Sequence, residues 1–495
     1  MASQLLATKS IAELREQEAS GNELRRALGP VHLTLLGIGG IIGTGIFVLT
    51  GTAAANHAGP ALALSFIVAG LGCTFAGLCY AEFAAMIPVT GSAYSYSYAT
   101  LGEGVAWFIG WNLVLEYLFA VATVSVGWSG YAVSFLNDFH IHIPAALSNA
   151  PFGTPEGKES FEMMRTGAII NVPAMLIVAL IATICYIGIK QSAVFNSVIV
   201  AIKVTVVVLF ILFGVSYINA ANWHPFVPPN TGQTGVFGWS GVMAASGVIF
   251  FAYIGFDAIS TAAQESRNPQ RDMPIGILAS LVICTILYVL VALVLTGMVS
   301  YRELDVAAPV ALALDKYEGL HWLRKSVKFG ALAGMTSVML VMTIAQARIF
   351  FAMARDGLLP PFFGRVHPRF RTPSTGTVVT GVCALIIGGL LPVKILGELV
   401  SIGTLAAFVT VCIGVLVLRR TRPDLPRPFR TPYPWFVCIA GAVVCGAMMV
   451  SLGPATWLRL VIWTVIGVVI YAAYGYQHSC VRKAANGAAA SPRTA

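Results

Sequence analysis

The sequence predicts an all-α integral membrane protein of 12 transmembrane helices. They form two inverted 5-helix repeats, with helices 1 and 6 broken, plus two extra helices. Three observations carry that prediction. Hydrophobic residues make up 57% of the chain and charged residues only 10%, against roughly 25% charged in soluble domains. The first apolar run, about 31–55, holds Gly37-Ile38-Gly39-Gly40-Ile41-Ile42-Gly43-Thr44-Gly45-Ile46-Phe47, with five glycines between positions 37 and 45. Five spans later, Ala245-Ser246-Gly247-Val248-Ile249-Phe250-Phe251-Ala252-Tyr253-Ile254-Gly255-Phe256-Asp257 again sets small residues and a polar group in mid-span.

The spans fall at about 31–56, 60–86, 104–136, 168–188, 194–217, 237–261, 275–299, 327–351, 373–391, 395–418, 434–452 and 456–478. Each is close to the roughly 20 apolar residues that cross a bilayer as a helix. An even number puts both termini on one side. With that side taken as cytoplasmic, 20 of the 30 Lys and Arg lie inside and nine outside, and Lys203 lies within a span. This is the bias of the positive-inside rule, although Arg324, Lys325 and Lys328 run against it. The net charge of +9 is thus a matter of topology and not a nucleic-acid footprint. The expected location is the cell's inner (plasma) membrane, multi-pass, with both termini cytoplasmic. The organisation reads as a cytoplasmic N-terminal segment 1–29, a first repeat 30–218 and a second repeat 219–418. An Arg- and Pro-rich cytoplasmic connector 419–433, helices 11 and 12 in 434–480, and a cytoplasmic tail 481–495 follow. Residues 1–29 show no cleavable signal pattern. The nine cysteines lie mostly inside apolar runs with no C-x-x-C pair, so they read as small hydrophobes; neither a metal nor a cofactor is expected.

Each glycine in a helix costs roughly 1 kcal/mol against alanine, and a helix in lipid must satisfy its own backbone. The stretch 37–45 therefore reads as a helix that unwinds where a ligand meets the freed groups. Close helix packing through Gly39 and Gly43 is the alternative for this stretch taken alone. A dinucleotide loop fits worse, because Ile42 stands where a glycine is needed and no strand precedes it. The matching interruption in the sixth span favours the broken helix, and an odd number of spans per half inverts the second half. The N–H groups of Gly43, Thr44 and Gly45, at the positive end of a half-helix, suit a carboxylate. The carbonyls of Ile41, Phe251 and Ile254 suit an ammonium. A free amino acid carries both, and the ring of Phe251 or Phe256 is placed to close over it.

Three ionisable residues lie well inside spans: Glu116, Lys203 and Asp257. Each costs at least ~2.5–3.5 kcal/mol facing lipid, so all three are expected to face inward. Lys203 reads as a proton-titrated switch. Burial disfavours its charged form, and near the first break its ammonium can stand in for a coupling cation. The alternatives are a static salt bridge or snorkelling, the latter made hard by roughly 13 Å of helix to the span's start. Glu116 and Asp257 read either as recognising a cationic group or storing a proton, or as pairing Lys203 or capping unwound backbone. Glu82 and Glu265, near span ends with Arg267 and Arg271 nearby, read as gate salt bridges or solvated charges; Phe256 is the third gate candidate. Residues 137–167 read as a solvated outer loop, and 301–318 as an amphipathic segment, either a lid or an interfacial helix.

These residues carry a resemblance. GIGGIIGTGIF, then Tyr80-Ala81-Glu82-Phe83-Ala84 with Pro88 and Gly91-Ser92-Ala93-Tyr94, FFAYIGFDAIS with Gln264-Glu265, Asn268-Pro269 and Asp272-Met273-Pro274-Ile275-Gly276-Ile277, and Arg355-Asp356-Gly357-Leu358-Leu359-Pro360 resemble the amino acid–polyamine–organocation superfamily. They are most similar to bacterial members of the cationic amino-acid transporter family, over roughly residues 25–480. The resemblance implies two inverted five-helix repeats, alternating access, and sodium-independent amino acid uptake. It also implies a substrate carboxylate on the Thr44–Gly45 backbone, an amine on the carbonyls of Ile41, Phe251 and Ile254, and a helix-five lysine at Lys203 where sodium-coupled relatives of the fold hold an ion. The family's acids in helices three and six match Glu116 and Asp257.

The expected function is secondary active import of an amino acid, proton-coupled and sodium-independent. The substrate is cationic (arginine or lysine), with small neutral amino acids as the second choice. The expected partners are the amino acid, protons and the bilayer, with no nucleic acid. The chain is taken to act as a monomer, with room for a small-protein subunit. An intramembrane enzyme would need convergent catalytic groups, whereas the eight histidines lie at span ends and loops. A channel would need a continuous pore lined by charge or carbonyls, and neither pattern is present.

Overall fold

The computed structural model of the chain describes residues 7–9, 28–86, 92–153, 163–188, 193–260 and 266–483, with the backbone alone for 193–196. Among them, nine helices are long and apolar enough to cross a membrane, and three apolar helices are shorter: Pro30–Ile41, Val172–Ile187 and Ser374–Leu390. The described strands are one two-residue pair, Phe152–Gly153 against Met164–Arg165. This is an all-helical membrane protein.

In chain order the apolar helices are α1a (Pro30–Ile41), α1b (residues 44–58), α2 (Leu62–Met86), α3 (Glu103–Asn137), α4 (Val172–Ile187) and α5 (Ala193–Gly214). They continue as α6 (Gly238–Ile249, extended by a tight turn Phe250–Tyr253), α7 (Pro269–Met298), α8 (His321–Arg355), α9 (Ser374–Leu390), α10 (Val393–Thr421), α11 (Pro434–Ser451) and α12 (Pro454–Ile470 and on to His478). Helices α1a, α7, α11 and α12 each open on a proline, whose missing N–H falls where a helix has no acceptor to offer. The long helices α3 and α8 pack along each other, α10 packs on α3, and α7 packs on α2 and α1a. Burial separates centre from rim. The most apolar stretch of the 238–260 segment is 94% buried inside the protein, and that of Pro454–Lys483 only 17%, so α6 is central and α12 faces the surroundings.

Residues 7–9 and 478–480 meet at Asp356 and Gly357, so these two segments lie at one end of the bundle. At the opposite end, the segment 301–315 is inserted rather than laid on the surface. Leu304, Val310, Ala311, Ala313 and Leu314 are buried. The Leu304 carbonyl and Pro309 press on Gly51 so closely that a Cβ there would collide, and a Cβ on Gly130 would come within 2.7 Å of Ala307. The same end explains the basic residues that run against the charge bias. Lys328, almost fully buried, sits 3.0 Å from Asp138 and 3.7 Å from Asp315, and Arg324 bridges Asp138 at 3.4 Å and Asp315 at 3.3 Å. Two acids on separate elements thus neutralise these cations and tie the inserted segment to α3 and α8. In the loop after α3, residues 145–148 form a helical turn and the short strand pair follows. Glu156, Lys158, Glu159 and Glu162 lie outside the described residues.

Candidate functional site

Both interruptions expected in mid-span are present. Helix α1a ends at Ile41, and Ile42 turns to extended backbone (φ −73°, ψ 103°). Winding resumes at Thr44 through a widened turn, Gly45–Leu49. Helix α6 tightens over Phe250–Tyr253, Ile254 is extended (ψ 135°), and Gly255 has φ +118°, a conformation that only glycine adopts without strain. The two breaks touch main chain to main chain. A Cβ on Gly255 would lie 2.7 Å from the Gly40 carbonyl, and one on Gly45 would overlap Ala252. Glycine therefore serves close approach as well as unwinding. Packing against α8 adds to this, since a Cβ on Gly43 would sit 3.0 Å from Val338.

Unwound backbone must find partners, and most of it does. The Thr50 hydroxyl lies 3.0 Å from the Gly45 carbonyl and 2.7 Å from that of Ile46, and Tyr131 donates to Phe47 at 2.9 Å. The Tyr288 hydroxyl stands between the breaks, 3.0 Å from the Ile41 carbonyl and 2.9 Å from that of Ala252. Phe251 accepts the Ile254 N–H at 3.2 Å. So two of the three carbonyls assigned to an amine, those of Ile41 and Phe251, already hold one donor each; a carbonyl has two lone pairs and can take another. The N–H groups of Gly43, Thr44 and Gly45 form the opening turn of α1b, where no preceding helical carbonyl serves them. The Thr44 hydroxyl is 3.5 Å from the Val124 carbonyl, the edge of bonding distance.

Lys203 is fully buried, and its ammonium donates to the Gly39 carbonyl at 2.6 Å and the Ile42 carbonyl at 3.0 Å. These are end-of-helix carbonyls, so the cation caps the negative end of α1a across the break. Neither Glu116 nor Asp257 pairs with it, which removes the static salt bridge to those acids from the readings the sequence left open.

The two acids lie near one another on the far side of the α6 break, each fully buried. Asp257 accepts the Tyr117 hydroxyl on one oxygen and lies beside the amides of Gly255, Asp257 and Ala258, where the backbone resumes after the break, while its Oδ1 makes no hydrogen bond of good geometry among the described residues. Glu116 differs. It faces the Thr404 hydroxyl, which donates to the Val400 carbonyl at 3.0 Å, and neither of its oxygens makes a hydrogen bond of good geometry among the described residues; the side-chain oxygens of Asn112, one turn earlier, and of Tyr80 are likewise without one. Each such buried group costs about 1–3 kcal/mol, more if charged. A patch of acceptors in that condition is suited to a ligand carrying N–H or O–H donors.

Of the three gate candidates, Glu82 and Phe256 lie among the described residues. Glu82 is buried in a nest of donors: Arg419 at 2.6 and 3.0 Å, Arg427 at 3.4 Å and the Thr431 N–H at 2.8 Å. Its partners are thus on α10 and the connector after it; Arg267 and Arg271, expected nearby, are exposed. Phe256 packs edge-on against Tyr80 at 5.7 Å and meets Phe408 at 5.1 Å. Phe251 is also buried. Glu265 lies outside the described residues. At the end opposite the termini, a cavity of about 580 Å³ is lined in part by Val48, Thr52, Val126, Gly130 and residues 305–307, and Val48 is one helical turn from Thr44.

Tyr288, Tyr117, Tyr131 and Thr50 are absent from the sequence-level set. The signal available for them is thin: a hydroxyl inside an apolar run, as in Thr285-Ile286-Leu287-Tyr288-Val289-Leu290.

Comparison with known proteins adds an independent finding. A family model described as amino acid permease matches residues 28–473. A methylthioribose transporter of Bacillus subtilis is 47% identical over 97% of this chain and 100% of its own length. A branched-chain amino acid permease of the same organism is 46% identical over 95% of this chain and 97% of its own. A vacuolar cationic amino acid transporter of Arabidopsis thaliana is 37% identical over 81% of this chain and 65% of its own length.

Proposed function

The chain belongs to the amino acid permease family, a family of transporters and not of enzymes, and from that premise we propose that it is a proton-coupled, sodium-independent importer working by alternating access. The observation that carries the proposal is the Lys203 ammonium on the Gly39 and Ile42 carbonyls. A cation held at the first break does the work of a coupling ion. Protonated, it ties α1a in place; deprotonated, it lets go. We take the twelve apolar helices as spans of two inverted five-helix repeats plus two, with the termini-bearing end in the cytoplasm of a bacterial inner membrane.

The substrate's carboxylate would rest on the N–H groups of Gly43, Thr44 and Gly45, and its amine on the carbonyls of Ile41, Phe251 and Ile254. Phe251 and Phe256 would cover it, and Glu82, Glu265 and the segment 301–315 would contribute to gating. The open acceptors at Glu116 favour a side chain rich in donors, hence arginine or lysine. The second reading, a small neutral or branched-chain amino acid, is favoured by the relative named for branched-chain amino acids. Asp257 would then hold backbone only and Glu116 a proton.

Uptake into proteoliposomes tests the proposal. The panel is arginine, lysine, alanine, leucine and methylthioribose, each with and without a pH gradient and sodium. Accumulation of an amino acid that follows the proton gradient and ignores sodium supports it. Uptake that demands sodium, or of methylthioribose alone, rejects it.

A further inference from the structure

The cavity of about 580 Å³ at the end of the bundle opposite Asp356 takes no part in the grip at the breaks, although its floor lies one helical turn from Thr44. The deep end is made by Val48 and Thr52 of α1b, Val126 of α3 and Asn171 at the start of α4; residues 305–307 and the turn 145–148 also line it. Val48, Thr52 and Asn171 are buried, whereas Asp305 and Ala307 are exposed, so the cavity is a well with an open rim. Beneath the floor the way is shut. The Thr44 side chain stands against α3, where a Cβ on Gly127 would lie 2.5 Å from its methyl group. One turn of α1b and α3 in contact therefore separates the well from the first break.

The volume is that of a small-molecule site, typically about 300–1,000 Å³. Its charge is of one sign, since Asp305 is the sole ionisable residue among the described residues that line it. Lys394 follows the lining residue Val393 in the chain but does not itself line the cavity. The Asp305 carboxylate is held in place. The Asn56 amide donates to its Oδ2 at 3.0 Å and to the Thr52 carbonyl at 3.1 Å, so α1b positions the acid. The backbone around Asp305 is fixed as well, because the Leu304 carbonyl and Pro309 press on Gly51, and Ala307 on Gly130. A positioned acid in a cleft with low-dielectric walls focuses its field and raises the local concentration of cations. We propose that this cavity is a holding site for a small organic cation, an ammonium or guanidinium compound, with Asp305 as its charge reader. The proposal rests on the transport reading only for the site's role: a cationic solute waits here until α1b and α3 part at Thr44 and Gly127. Recognition differs from that at the breaks, because the site needs no carboxylate. An amine that lacks one binds here as well as the amino acid does.

Thiol protection on the full-length protein in lipid nanodiscs, read by mass spectrometry of the labelled peptide, tests this. The reporters are Ala146→Cys and Ala168→Cys, both lining the cavity, so one serves if the other fails to fold. The reagent is the neutral N-ethylmaleimide and the probe is agmatine, at low ionic strength. Agmatine and arginine are each expected to slow labelling at least about fivefold, and leucine to leave it unchanged. Asp305→Asn, which removes the charge and keeps the shape, should abolish the protection, and Asp305→Glu should retain part of it. Gly45→Val, which disrupts the contact between the breaks, should leave it intact. Labelling that agmatine does not slow overturns the proposal. So does protection that survives Asp305→Asn, is matched by leucine, or is lost in Gly45→Val. No transport is read and the breaks are disabled in one arm, so this result and the substrate reading at the breaks can fail separately.

Discussion

Replacing Lys203 by methionine removes the cation at the first break while keeping a side chain of similar length. The stem runs along α8, where a Cβ on Gly334 would sit 3.3 Å from the lysine Cε, and a thioether preserves that contact. What is lost is the donor to the Gly39 carbonyl at 2.6 Å and the Ile42 carbonyl at 3.0 Å. A buried acceptor stripped of its partner costs about 1–3 kcal/mol, so two cost roughly 2–6 kcal/mol. Removing a buried ammonium relieves part of that, which makes the low end, about 2 kcal/mol, the working figure. At 1.4 kcal/mol per factor of ten, the conformation with α1a held becomes roughly thirtyfold less populated. The assay is amino acid accumulation in proteoliposomes under an inward proton gradient, across a range of external pH. Lys203→Met should accumulate no more with the gradient than without it, and its residual uptake should be flat with pH. A variant that still concentrates substrate in response to the gradient would refute the role given to Lys203.

Other perturbations separate the parts of the site. Tyr288→Phe removes the one hydroxyl standing between the Ile41 and Ala252 carbonyls; the expected loss is about 1–3 kcal/mol of thermal stability or substrate affinity, and a melting curve and Kd both at wild-type values would count against it. Gly45→Val puts a branched Cβ into Ala252, so substrate binding should vanish while the protein still inserts into membranes; binding retained would show that the breaks need not touch. Glu116→Gln should cut arginine uptake at least tenfold and spare alanine, whereas Asp257→Asn, which alters a group lying beside backbone amides, should lower uptake of both; equal effects from the two variants would undo the division of labour between the acids. Asp138→Asn takes one acid from the cluster holding the 301–315 segment, and exchange in that segment should rise severalfold; no change would make the cluster irrelevant to it.

The breaks are legible in the sequence because lipid leaves a glycine-rich mid-span so few options. The turn at residues 42–43 and the one at 254–255 are expected on that ground, and Lys203 on the separate ground that a charge inside a span must face inward. The separate fates of the two acids are not legible. Glu116 and Asp257 look alike as single carboxylates in apolar runs, until the fold brings the Tyr117 hydroxyl and backbone amides beside one and the Thr404 hydroxyl beside the other. The true partners of Glu82 are hidden for the same reason, since Arg419 stands 337 residues away and only the packing of α10 on α2 joins them. The segment 301–318 has a composition that suits a surface helix or an insertion equally. The choice is made by the space that Gly51 and Gly130 leave on α1b and α3. Lys328 looks like a violation of the charge rule because Asp138, its neutralising partner, is 190 residues earlier in the chain.

In the proposed mechanism bare main chain at two unwound helices grips the amino and carboxyl groups common to all amino acids. The most direct test is calorimetric binding to the purified protein of whichever amino acid the uptake panel identifies, set against the same molecule lacking only its α-carboxylate. The account predicts that the decarboxylated amine binds at least a hundredfold more weakly, since it leaves the N–H groups of residues 43–45 empty. Equal affinity for the two would mean that side chains, and not the broken backbone, hold the substrate.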